Sequence, residues 1–390
     1  MLGARLNGCH LLRAAAAGLC AILATGCGTP SLDRARTAYR AGQYHAAASA
    51  LEDKKPARQD QVLFHMERGT VRQADRQFEA STADYLAAND LIEEMVSLSV
   101  SRDSASMVIN DTVQDYKGDP FERTLLHAFT AKNHLALGQW ENAAVEARRI
   151  LQTLQPEVLG DYPEDAYSRY LAGFCLDLMG DGSNARLQYR KANDLTPNVV
   201  IDEQTGRLAS PGETPTQRQA GETELVCFVL LGNIPSDGQL RRQATTGPAG
   251  YAELYAHGQS LGRSYPLANT IDLAFTTLQK NAAKELAKTV SRIAIKEGIA
   301  SSVESENEAL GELIRFVLIW MLERPDTRRW ETLPESLQVA RVTCPPDLEA
   351  FDVVIRSPSG VAMRTVHVTA PITRNGAVFV SHMRDRQPAD

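Results

Sequence analysis

Between residues 33 and 197 the apolar positions recur with helical spacing, and the pattern predicts helices throughout. Residues 200–222 break it. Gly206, Gly212, Gly221, Pro211 and Pro215 come there with no apolar period, which predicts an exposed linker or long loop. ELVCFVLLG (224–232) is a fully apolar strand candidate, and YAELYAH (251–257) has helix-like spacing. Two helices are expected at 273–300 and 306–323. The apolar run Leu313–Leu322 in the second is ten residues long and contains Arg315, so it is expected in a core rather than across a membrane. Strand patterns then follow at 336–344, 351–357, 364–370 and 377–383, with Asn375-Gly376 as a hairpin turn between the last two. The expected fold is mainly α with a smaller α+β part: an irregular helical array, then two helices under a small, mostly antiparallel sheet.

The helical region repeats itself. AGQYHAAASAL (41–51) places Gly42, Tyr44 and Ala47 as in the turn and second helix of a tetratricopeptide repeat. FEASTADYLAA (78–88) repeats that spacing with Phe78, Ser81, Tyr85 and Ala88, and Gly69 stands where the preceding helix needs a small residue. LGQWENAAVEARR (137–149) supplies Gly138, Trp140, Ala143 and Ala147; MGDGSNARLQYRKANDLTP (179–197) supplies Gly180, Ala185, Tyr189, Ala192 and Pro197. The offsets between units are 34, 62 and 42 residues, so the array is irregular, with an insertion around 94–118. The alternative is a generic helical bundle with alanine-rich faces. Two longer blocks, 115–149 and 327–342, resemble a family of bacterial tetratricopeptide-type lipoproteins of unknown molecular function. Tyr116, Gly118, Phe121, Glu122, Glu146, Arg148 and Arg149 carry the first resemblance; Arg329, Trp330, Leu333 and Pro334 carry the second. The resemblance implies a repeat fold and an envelope address, and no reaction.

The N-terminus agrees with that address. Arg5 and Arg13 are the only charged residues among the first 26, and an apolar stretch from Ala14 to Ala24 follows. This is the layout of a signal peptide, too short for a comfortable permanent span. Leu23-Ala24-Thr25-Gly26-Cys27 resembles a bacterial lipobox, which implies that 1–26 are removed and Cys27 is acylated, several chains giving stable anchoring. An ordinary secretory signal with an incidental cysteine is the alternative. Gly28, with no Asp after Cys27, implies the outer membrane facing the periplasm, by resemblance to enterobacterial sorting. The expected divisions are therefore 1–26 signal peptide, 27–200 helical repeats, 201–222 linker and 223–390 α+β domain.

Charge excludes one class of partner. The net charge is −7, and −9 without residues 1–26, with dispersed acids, so the chain has no electrostatic footprint for nucleic acid. Beyond Cys27, Cys175, Cys227 and Cys344 are too few for a disulfide scaffold and are expected as buried apolar residues.

Candidate chemistry is sparse. GQSLG (258–262) matches G-x-S-x-G, with Ser260 as the would-be nucleophile of an envelope hydrolase, yet the strand–turn–helix context is missing and a surface turn is expected. His127 and His134 share a helix face without a third ligand, so no metal is expected, and no nucleotide motif supports a cofactor. Binding remains. The concave face of a stacked array should carry Arg36, Tyr39, Leu63, Met66, Leu125, Lys132, Tyr167, Tyr170 and Phe174. Arg36, Tyr39, Lys132, Tyr167, Tyr170 and Phe174 are the candidate partner-binding residues. The expected function is a lipid-anchored scaffold that holds a periplasmic or outer-membrane protein, with envelope assembly as the setting.

Overall fold

The computed structural model describes residues 30–101, 115–235, 250–281, 283–284 and 328–385. The signal peptide, Cys27, part of the 94–118 insertion, most of the helix expected at 273–300 and all of that at 306–323 lie outside them. Helices come first, in consecutive hairpins: α1 (Pro30–Arg40) with α2 (Tyr44–Leu51), and α3 (Gln61–Ala74) with α4 (Phe78–Ser101). Then α5 (Pro120–Ala136) pairs with α6 (Trp140–Thr153) and, after the single turn α7 (Pro156–Leu159), α8 (Ala166–Leu178) with α9 (Gly182–Asp194). Local chemistry sets the starts. Asp119 and Glu122 form a capping box on α5 with Pro120 in its first turn, and the Asp165 carboxylate accepts from the Ser168 N–H at 2.7 Å on α8.

Two hairpins close in the same way. A Cβ at Gly69 on α3 would lie 2.4 Å from the Tyr85 ring of α4, and one at Gly173 on α8 would lie 3.1 Å from the Tyr189 ring of α9. The spacing is sixteen residues in both. A glycine lets each aromatic lie flat on the preceding helix, and Ser81 fixes the first contact by donating to the Gly69 carbonyl at 2.7 Å.

The strands form three sheets. β1 (Val200–Ile201) and β2 (Leu208–Ala209) make a short ribbon. A five-stranded sheet runs in the order β10 (Ile372–Asn375), β11 (Val378–Arg384), β3 (Thr223–Leu231), β7 (Ser336–Cys344), β6 (Tyr265–Asn269), and its β11–β3 pair is parallel. A four-stranded antiparallel sheet runs β5 (Gln259–Arg263), β4 (Tyr251–Ala256), β8 (Phe351–Arg356), β9 (Ala362–Val368).

Strand β3 explains the layering. Every residue in it is buried, because its two faces meet different partners. Val226, Phe228 and Leu230 join the helices in one apolar cluster; Leu225, Cys227, Val229 and Leu231 join the four-stranded sheet in another. The helices, the central sheet and the outer sheet are thus three layers, and the chain is an α and β mixture. The helical part and the strand part share the first cluster, so the boundary expected at 200–223 runs through a common core.

Four expectations need correcting. Residues 251–257 are not helical: Ala252, Leu254 and Ala256 point inward and the tyrosines outward, a period of two disguised by small inward and aromatic outward side chains. The Asn375-Gly376 turn joins β11 to β10 rather than to β9. The strands are mostly antiparallel as expected, but they form two larger sheets rather than one small one, with the β11–β3 pair parallel. Nor is 201–222 merely an exposed loop, since Ile201, Arg207, Leu208 and Ala209 are buried.

Candidate functional site

The helices hold part of the chain itself: residues 328–331 bond to groups on α1, α3 and α5 and to the turn before α3. The Trp330 indole is fully buried, edge-on to Tyr85 at 5.9 Å and to Phe129 at 5.5 Å, and its Nε1–H donates to the Thr70 hydroxyl at 2.8 Å. Two buried carboxylates receive the segment's backbone: Glu122 accepts from the Trp330 N–H at 2.9 Å, and Glu67 from the Glu331 N–H at 2.8 Å. Arg36 bonds Glu67 at 2.8 Å, the Arg329 carbonyl at 3.2 Å and Glu331 at 3.2 Å. Arg328 donates to the Gln59 carbonyl at 2.9 Å and to Asp60 at 3.1 Å.

Glu122 is the pivot. Burial and then the charge of Asp119 push its carboxyl up to about 7, against three donors that favour the anion: the Tyr116 hydroxyl and the backbone N–H groups of Trp330 and Asp119. The sequence blocks 115–149 and 327–342 therefore meet, with Trp330 against Glu122 and Phe129 and Arg328 over the Tyr116 ring. Their separation in sequence hid this contact; the resemblance marked both blocks but not their pairing.

The candidate binding residues are placed differently from expectation. Tyr167 and Phe174 are fully buried and pack edge-on against Phe228 of β3 at 6.1 and 5.6 Å. Tyr170 is equally buried, 5.2 Å from Tyr189, and donates to the Gly206 carbonyl at 2.7 Å. Tyr39 lies under Arg384, whose Nε donates to its hydroxyl at 3.0 Å. Lys132 is buried between α5 and the sheet. Leu63, Met66 and Leu125 are core. The proposed open groove is filled by the chain's own sheet and by 328–331; of the six candidates only Arg36 keeps part of its side chain in solvent, and it grips that segment. The helical pattern carried no sign that the later strands would cover these side chains.

Acidic and basic side chains lock the layers together. Glu224 on β3 bonds Arg341 at 2.7 Å and Arg207 at 3.2 Å, and Arg341 reaches Tyr189 on α9 at 3.1 Å. Burial alone would raise the Glu224 carboxyl, but the two guanidinium groups hold it below its ordinary value.

The remaining candidates are structural. Ser260 is exposed in the β4–β5 hairpin, opposite Tyr255, and lies within strand β5 rather than at a turn into a helix. His127 bonds Glu146 of α6 at 2.8 Å, and His134 bonds Gln139, the residue before α6, at 2.7 Å. Among the described residues no cluster of metal-ligating side chains occurs, and no helix is long and apolar enough to cross a membrane. Cys175, Cys227 and Cys344 are buried free thiols. Compared with known proteins, the chain matches no family model and no curated protein.

Proposed function

We propose that the chain is a lipid-anchored envelope lipoprotein, acylated at Cys27 and facing the periplasm from the outer membrane, that serves as a protein-binding scaffold in envelope assembly. The reading takes the helical hairpins as tetratricopeptide-like units and the chain as a relative of the uncharacterised lipoproteins it resembles. One observation carries it. The hairpins already hold a non-helical segment, 328–331, by two backbone N–H groups on buried glutamates and one tryptophan in an aromatic slot, as a helical array can receive a peptide. The glycine–tyrosine seats at Gly69/Tyr85 and Gly173/Tyr189 support repeated units.

Because the chain fills this groove itself, the partner belongs on the outer helices, where Val145 on α6 and Leu187 on α9 expose apolar side chains. The hydrolase reading has no support from the surroundings of Ser260. Two experiments test the proposal. Wild-type protein should take up a radioactive fatty acid and Cys27→Ser should not; an unlabelled wild type removes the anchor. A photo-crosslinking amino acid at Val145 or Leu187 should trap one discrete envelope protein in cells, and no adduct at either position defeats the scaffold reading.

A further inference from the structure

A cavity of about 340 Å³ opens between the α3–α4 turn, the start of α2, and strands β9 and β11. Arg76, Arg364, His367, His382 and Arg384 line it, with no Asp or Glu among the lining residues. In a chain of net charge −7, a basic concavity runs against the composition. Two of the five are matched by acids: Arg364 pairs with Asp385, and His367 bonds Asp352 at 2.7 Å.

The others are not. Arg384 gives Nε to the Tyr39 hydroxyl at 3.0 Å and Nη2 to the Asn233 side-chain Oδ1 at 2.6 Å, both neutral acceptors. Its Nη1 is buried with no hydrogen-bond partner among the described residues. Arg76 is exposed at the α3–α4 turn, where its backbone takes φ 63°. Behind them Lys132 is fully buried, and its Nζ also lacks a hydrogen-bond partner among the described residues. These groups sense one another: burial, then the charges of Lys132 and Arg76, hold His382 well below its ordinary value. Two guanidinium groups, Arg76 and Arg384, converge here without a counter-charge among the described residues, with the buried Lys132 behind them.

We propose that this cavity binds a phosphate group, carried by a small phosphate ester or by a lipid headgroup. An arginine fork offers paired donors to a tetrahedral oxyanion, and an ammonium adds a point charge. A phosphate monoester carries about −1.5 to −2 near neutral pH, a better match to the two guanidinium groups than one carboxylate. Val366, Pro371 and Met383 give the cavity an apolar wall for the esterified part. Its volume is at the lower end of small-molecule sites, which run from about 300 to 1,000 Å³. The proposal is independent of the scaffold reading.

The test uses the full-length protein in phosphate-free buffer. Phenyl phosphate should bind in calorimetry, more weakly as salt is added. Arg76→Gln, at an exposed position, should weaken it at least tenfold with unchanged melting, and Arg384→Gln should weaken it further. Should the latter fail to fold, Arg76→Gln alone decides. In the lipid arm, vesicles of phosphatidylglycerol should be preferred to phosphatidylcholine only if the source is a headgroup, and Arg76→Gln should erase that preference. Phenyl phosphate binding without a vesicle preference assigns a soluble ester; the vesicle preference without phenyl phosphate binding assigns the headgroup. Neither response, either response unchanged in Arg76→Gln, or benzoate binding as tightly as phenyl phosphate overturns the proposal.

Discussion

The indole of Trp330 donates its N–H to the hydroxyl of Thr70 at 2.8 Å, across 260 residues of sequence. One hydrogen bond of this kind contributes about 1 kcal/mol net, but it also fixes which way the ring lies between Tyr85 and Phe129. Through it the segment before β7 becomes part of the helical core, so the central sheet cannot leave the hairpins without exposing a tryptophan.

Trp330→Ala is accordingly expected to cost about 3–5 kcal/mol, the usual penalty for truncating a buried large aromatic. Trp330→Phe keeps most of the ring area and loses the bond to Thr70, so its loss should be clearly smaller. Urea unfolding followed by circular dichroism measures both. Equal losses would mean that the hydrogen bond rather than the ring fixes this contact.

Much of the architecture was visible in local patterns. β7 was placed at 336–344 because SLQVARVTC alternates, and β3 because ELVCFVLLG is apolar throughout, as a strand with two covered faces must be. The helical hairpins showed through small and aromatic residues such as Gly69 and Tyr85, whose contact is local. What could not be read was anything that depends on distant pairing. β4 has alanines where an inward pattern normally shows large apolar residues. The parallel β11–β3 pair joins strands some 150 residues apart. The candidate site failed for the same reason: Tyr167, Tyr170 and Phe174 do lie on one helix face, but Phe228 and Gly206, which cover them, belong to later elements with no periodicity that names their partner. The basic cavity draws Arg76, Arg364 and Arg384 from three elements, and no spacing announces it.

Lys132 makes stability depend on pH. Burial, then the charge of Arg384, lowers its ammonium from 10.5 to about 7. Between those values the unfolded chain holds a proton that the folded chain has released, so stability rises with pH across that window. Wild type in phosphate-free buffer should gain about 2 kcal/mol from pH 7 to pH 9, while Lys132→Met should be more stable at pH 7 and lack most of that slope. Cys227 and His382 lie close to Lys132, so the comparison rests on the difference between the two proteins. Parallel pH profiles would show that the ammonium stays charged in the fold.

The paired substitution Tyr170→Ala and Phe174→Ala separates a binding face from a core. Both rings are fully buried, four residues apart on α8, and they face Tyr189 and Phe228. Tyr170 also satisfies the Gly206 carbonyl, and Arg341 lies over the Phe174 ring at 5.7 Å. Removing them strips the seat of α8 on β3 and leaves Arg341 with less to lie against, so the loss should exceed that of either ring alone. Each truncation costs about 3–5 kcal/mol, and the two sites share neighbours, so their effects should not add simply. The pair together is comparable with the whole stability of a domain, about 5–15 kcal/mol. The double variant should therefore melt far lower or without a cooperative transition, as read by circular dichroism. Normal melting together with lost partner capture would instead put these aromatics on an open binding face, and the sheet would have to lift from the helices for that to happen.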